Sequence, residues 1–403
     1  MHKTITSRQL LPAAVAAALS VFALGASAAD VEVYGLVDVG MKATKASGES
    51  SLFEMNSGQI SGSRFGLRAK EAISPDLKVF FSLENGFDAD TGEMADTEKL
   101  FNRNAVLGLE TRYGEIEFGR TGALVAGVTG GIFAGRVSPF GITWQEGQSS
   151  QLLSGAVATR MDNTIRYESP RMAGWQLYAQ FSNGTAGDDA VPSAEKVRYG
   201  AVGATYRKGP FMAVAVVDRM FNKNRSDGTS DYLGDDYSTF NFGGTYDFGP
   251  VKVFAAYQYG DGVTRVGKLS STVRGSYSAT NERNRTGFDT HAFLLGADVD
   301  LWGGTLKLAG GYAFGDRDWR QYQSSNGSLQ YTYDQDVEGY QAAIGYLYPL
   351  SKRTDVYAGA ALVHAKDTTD GTQWRANGTV MGSDDSGENT STRSFIMGLR
   401  HRF

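Results

Sequence analysis

Cationic side chains recur along this chain at spacings that would let them act together on an ion in water. Arg64, Arg68 and Lys70 share one parity, opposite to Phe65, Leu67 and Ala69. Arg160, Asp162, Thr164, Arg166 and Glu168 likewise oppose Met161, Ile165 and Tyr167. In an extended chain that parity puts the charges on one face and the apolar groups on the other. Arginines and lysines fixed on a wet face select mobile anions by charge and make no covalent bond. Arg103 and Arg120 do not obey the rule, because Leu107 and Phe118 fall on their face. A bulge, or an outer face covered by another subunit, would reconcile them.

Other chemistries find little support. His2, His291, His364 and His401 are too scattered for a metal site, and there is no cysteine. No nucleophile motif stands near any of these histidines, as a hydrolase would need. The stretch Gly262-Val263-Thr264-Arg265-Val266-Gly267-Lys268-Leu269 approaches a phosphate-binding loop. It lacks the Ser/Thr after the lysine that would hold Mg²⁺, and no helix follows it.

The elements that must position the charges are strands. Trp175, Leu177, Ala179 and Phe181 alternate with Gln176, Tyr178, Gln180 and Ser182. The same period recurs in Tyr237–Phe248, Phe288–Leu301 and Thr305–Phe314, each about as long as a tilted membrane strand. Phe211–Met220 and Asp355–Ala365 alternate poorly. Short connections such as Ser74-Pro75-Asp76, Lys208-Gly209-Pro210 and Trp302-Gly303-Gly304 take turns with long polar ones: Asp88–Lys99, Asn222–Asp236, Asp261–Gly287, Arg317–Asp336 and Asp367–Thr390. Short turns on one side and long loops on the other describe an all-β transmembrane antiparallel barrel, with about 16 strands. Tyr113, Phe211, Phe248, Trp302, Tyr346 and Tyr348 flank the turns as an interfacial girdle would, which a soluble β-sandwich does not need.

The two ends support export to that membrane. Lys3 and Arg8, the apolar run Leu10 to Leu24 and the small residues Gly25 to Ala29 form a signal peptide over 1–29, leaving a barrel over 30–403. Its removal takes two basic residues from 39, leaving 37 against 44 acidic ones, a balance of −7 that argues against a nucleic-acid partner. At the other end Phe395, Met397, Leu399 and Phe403 share one parity in a final strand closing on an aromatic. That ending resembles the signal read by the outer-membrane assembly machinery.

Taken together, Val33-Tyr34-Gly35-Leu36-Val37-Asp38, Ser63-Arg64-Phe65-Gly66-Leu67-Arg68, Leu83-Glu84-Asn85-Gly86-Phe87, Leu100-Phe101-Asn102-Arg103-Asn104, Phe118-Gly119-Arg120, Asn163–Pro170 and Gly398-Leu399-Arg400-His401-Arg402-Phe403 resemble the general Gram-negative porins abundant in β-proteobacteria. The resemblance implies a homotrimer of sixteen-stranded barrels without a cofactor. It also implies a third long loop folded into the lumen, here 122–158, and an arginine ladder on the opposite wall, with Arg64, Arg103 and Arg160 in the matching motifs. Such a loop lines water and does not face lipid.

The expectation is a general diffusion porin in the cell outer membrane, seated in lipid and lipopolysaccharide, passing ions and small hydrophilic solutes. Its constriction would comprise Arg64, Arg68, Lys70, Arg103, Arg120, Arg160 and Arg166, with Arg136 and Glu146 from the loop. Glu146 is the loop's only acid, so the constriction is expected to be net positive and weakly anion-selective. An adhesin or structural barrel acting through its loops, and an outer-membrane hydrolase, are the alternative readings.

Overall fold

The computed structural model describes residues 31–127, 129–154, 160–185, 196–221, 236–269, 287–322, 329–374 and 380–403. The expected signal peptide, 1–29, lies outside them. The chain runs through β1 (Glu32–Ala46), β2 (Leu52–Ser57), β3 (Arg64–Ser74), β4 (Leu77–Gly86), β5 (Asn104–Thr111) and β6 (Gly114–Gly122). After a long loop come β7 (Arg160–Glu168), β8 (Trp175–Ser182), β9 (Arg198–Lys208), β10 (Phe211–Phe221), β11 (Tyr237–Asp247) and β12 (Val251–Val263). The last five are β13 (Phe288–Leu301), β14 (Gly304–Tyr322), β15 (Leu329–Pro349), β16 (Thr354–Trp374) and β17 (Val380–Arg402).

Each strand pairs antiparallel with its neighbours in one sheet, and β17 closes it on β1 from Leu36↔Arg402 to Ala46↔Thr392. Seventeen segments make sixteen staves, because β2 and β3 both pair with β1, at Thr44↔Leu52 and Leu36↔Arg64. The break between them, 58–63, turns into the lumen. Asp38, fully buried, holds it there by accepting the N–H groups of Ile60 (3.0 Å) and Ser61 (2.7 Å) and the hydroxyl of Tyr357.

Alternation builds the wall. Leu107, Phe118, Ile165, Leu177, Phe242, Leu295 and Phe395 point outward and are exposed, while the intervening residues face the lumen. Tyr113, Phe211, Phe248, Trp302 and Tyr348 are exposed at the short-turn end, as a lower girdle requires. A second aromatic band stacks higher, for example His291 on Phe314 at 5.1 Å and Tyr257 on Phe293 at 5.0 Å. His291 is therefore a girdle residue.

One expectation about the long connections needs correction. The described residues of Arg317–Asp336 and Asp367–Thr390 are strand, since β14 to β17 run for 19, 21, 21 and 23 residues, longer than a membrane crossing needs. Poor alternation in Phe211–Met220 does not mean a poor strand: β10 alternates cleanly in burial, with Met212, Val214, Val216 and Met220 all buried on the lumen side. Both its faces are apolar because the third loop packs on the inner one. Leu124, Val125, Ile132, Phe133, Val137 and Leu152 from that loop form a continuous cluster with the inner wall of β8 to β16. Fully burying each such side chain contributes about 1.5–3 kcal/mol. Further along, Phe140 and Trp144 pack on Ala343, Tyr357, Ile396 and the inturned Ile60, which explains the blurred pattern of β16. The expected inward fold of the third loop is what this packing produces.

Candidate pore constriction

The first part of the charged wall forms where β3, β4 and the segment before β5 meet. Inward parity on β4 points Glu84 at two arginines: Arg103 Nε lies 2.6 Å from one carboxylate oxygen and Arg64 Nε 3.3 Å from the other. Tyr34 donates its hydroxyl to Glu84 as well, at 3.2 Å. Arg103 escapes the parity rule because it precedes the strand, which begins only at Asn104. It lies between Gly62 and Gly86, where an added Cβ would sit 3.0 Å from its side chain in either case. Its side chain is 7% exposed, and its Nη2 is buried without a protein partner.

Arg120 reaches the same wall by a bulge. The β6–β7 register slips between Gly119 and Thr121, and Gly119 takes φ +131°. A side chain there would run into the Ala105 carbonyl oxygen, so glycine is required. The extra residue leaves Phe118 on lipid and turns Arg120 inward. Arg120 donates Nε to the Asn102 carbonyl at 2.8 Å and pairs with Asp162 on β7. Lys99, from the loop after β4, pairs with the other oxygen of Asp162. Arg160 lies within electrostatic reach of Arg64, Arg103, Arg120 and Glu84. Five cations, Arg64, Lys99, Arg103, Arg120 and Arg160, thus share two carboxylates, Glu84 and Asp162, an excess of three positive charges.

The other expected constriction residues lie elsewhere. Arg68 and Lys70 are four and six residues down β3 from Arg64, about 13 and 20 Å at the strand rise. Their partners are Glu32 and Glu110, and they belong to the mouth at the short-turn end, not to the constriction. Arg166 is equally far from Arg160 along β7. It pairs with Glu117 (3.2 Å) and Glu168 (3.1 Å) and packs against the constriction loop at Gly130. Arg136 lies within electrostatic reach of Arg207 on β9. Glu146 does not oppose that group either: Lys42 on β1 pairs with it at 3.1 Å.

The loop itself is tied down by wall side chains. Gln180 accepts the Leu124 N–H at 2.6 Å and donates to the Gly122 carbonyl at 2.9 Å. Gln258 accepts the Ser154 N–H at 2.5 Å, and Gln341 donates to the carbonyls of Glu146 and Gln148. Lys307 donates to the Pro139 carbonyl at 3.0 Å. Parity would have marked Glu84, Gln180, Gln258 and Gln341 as inward; nothing local marked Lys99 or Lys42 as partners of these particular acids.

Comparison with known proteins agrees with this architecture. A family model described as Gram-negative porin matches residues 13–368. An outer membrane porin protein of Bordetella pertussis is 28% identical over 85% of this chain and 92% of its own length. The anion-selective porin from Comamonas acidovorans superposes with a TM-score of 0.61 at 22% identity, covering 93% of this chain and 100% of that one. OmpT of Vibrio cholerae, in a structure described as its trimer form, superposes with a TM-score of 0.55 at 17% identity over 93% of this chain and 100% of that one. A sixteen-stave barrel, an inturned third loop and a charged wall facing it are what a diffusion channel requires, and this chain belongs to the Gram-negative porin family, as an outer-membrane channel for small solutes and not an enzyme.

Proposed function

We propose that the channel is weakly anion-selective and has no tight substrate site. The observation that carries this reading is the excess of positive charge at one level of the wall, where Arg64, Lys99, Arg103, Arg120 and Arg160 share only Glu84 and Asp162. Fixed cations in a narrow aqueous passage concentrate anions, while the two carboxylates keep the field moderate. The anion preference named for the Comamonas relative points the same way. Reversal potentials across a KCl gradient in planar bilayers test it. Replacing Arg64 and Arg160 together by alanine is expected to shift permeability towards potassium and to raise conductance. A wild-type channel preferring potassium at low salt would contradict the proposal.

The working unit in this reading is a homotrimer, as in the trimer form of the Vibrio relative. The strands that follow Arg103 and carry Arg120 add nothing to it, since Leu107 and Leu109 on β5 and Phe118 on β6 are exposed in an ordinary lipid pattern. Migration of the unboiled protein at three times the monomer mass is expected; a monomer by light scattering in mild detergent would count against it. Export through cleavage of 1–29, recognition of the outward Phe395, Met397, Leu399 and Phe403 by the assembly machinery, and contact with lipopolysaccharide complete the proposal. Deleting Phe403 is expected to lower the yield of assembled barrel, and an unchanged yield would remove that residue from the signal.

A further inference from the structure

Behind the constriction loop, on the lumen face of β10 to β12, lies a line of buried polar side chains that the passage of ions does not use. Gln258 accepts the Ser154 N–H of the loop, so its amide nitrogen is left to donate to Asn241 Oδ1, at 2.5 Å. Asn241 in turn donates to Thr239 Oγ1 at 2.8 Å and to the Val216 carbonyl at 3.1 Å. Thr239, already an acceptor, has one proton left, and gives it to Asp218. Asp218, Thr239, Asn241 and Gln258 are all buried. Every donor in the line points towards Asp218 and every acceptor towards the loop.

We infer that Asp218 is a positioning residue for the constriction, setting the direction of an amide relay that presents Gln258 Oε1 to Ser154. This deepens the reading of the third loop as the element that narrows the channel. A carboxylate only accepts, so it fixes the Thr239 hydroxyl; that hydroxyl and the Val216 carbonyl together fix which end of the Asn241 amide faces them; and that amide fixes Gln258. On the far side of the same arm, Gly267 donates its N–H to Ser154 Oγ at 2.9 Å and Lys268 donates its N–H to the Gln151 carbonyl at 3.0 Å. The stretch that approached a phosphate-binding loop is thus a strap. Gly267, at φ +52°, approaches Gln151 too closely for any side chain. The arm Ser149–Ser154 is held between strap and relay, and cutting the relay removes the hydrogen bond at Ser154 on its wall side while the Leu152 packing remains.

The test is the frequency of spontaneous closures in single-channel recordings, with open-state conductance and ion preference measured alongside. Thr239→Val is nearly isosteric but has no hydroxyl, whereas Thr239→Ser keeps the hydroxyl and loses a methyl group. The relay predicts closures about two- to tenfold more frequent in T239V, D218L and Q258L, the range expected for one hydrogen bond lost. T239S should match the wild type, and D218L with Q258L should be no worse than Q258L alone, because the line is already cut. A purely packing role predicts the reverse order for the two Thr239 variants. Should D218L fail to assemble, T239V with Q258L gives the same cycle. Wild-type closures in T239V, or effects that multiply in the double variant, would overturn the inference. So would a change of ion preference with closures unaltered, which bears on the charge reading instead.

Discussion

Removing Glu84 is the sharpest probe of the charged wall. This carboxylate is shared by Arg64 and Arg103, so Glu84→Gln keeps the shape and a hydrogen-bond acceptor but raises the local excess from three positive charges to four. Two unit charges about 4 Å apart interact by about 1 kcal/mol in bulk water and by about 4 kcal/mol at an effective dielectric constant near 20. A permeating ion in a wet lumen lies near the lower figure. The lost charge acts on the two ions with opposite sign, so about 1 kcal/mol corresponds to roughly a fivefold rise in chloride permeability and roughly a fivefold fall in potassium permeability at low salt. The sign is towards anions, because a negative charge is lost. At 1 M salt the screening length falls to about 3 Å, and most of the shift should vanish. Reversal potentials at 0.1 M and 1 M KCl supply the measurement. Glu117→Gln serves as control: it removes one of the two carboxylates that pair with Arg166, six residues from Arg160 along β7 and about 20 Å away, twice the screening length at 0.1 M. If E84Q leaves the reversal potential in place, or if E117Q moves it as far, the field is not set where the arginines converge and the reasoning fails.

Two further substitutions follow from the packing. Gly119→Val meets both a positive φ and the Ala105 carbonyl, so it should lose the bulge, aim Arg120 at lipid and destabilise the barrel by at least about 1–3 kcal/mol; unfolding in urea followed by gel mobility would show it, and wild-type stability would refute it. Phe133→Ala empties a fully buried position between the loop and the wall, at a cost of about 3–5 kcal/mol to whatever holds the loop down; a lower melting temperature with noisier open-state current is expected, and an unchanged trace would mean the loop does not depend on that cluster.

How far the sequence could be read depended on whether position along a strand determined direction. Where it did, as for Arg64, Arg160 and Arg166, parity alone placed the side chain in the lumen. Parity carries no information about height, however. Arg68 and Lys70 face inward as expected yet sit with Glu32 and Glu110 at the mouth, because strand rise separates them from the ladder. Arg103 and Arg120 were illegible for a different reason: one precedes its strand and packs between Gly62 and Gly86, the other follows the bulge at Gly119, and the need for these glycines appears only when neighbouring strands are in place. Poor alternation in β10 was itself a signal. A barrel strand apolar on both faces must have something other than water on its inner side, and the only chain available to cover that wall without exposing itself to lipid is a loop folded into the lumen. The anchors show why such a loop stays folded there: its backbone groups leave water, and Gln180, Gln258, Gln341 and Lys307 are placed along the wall to satisfy them.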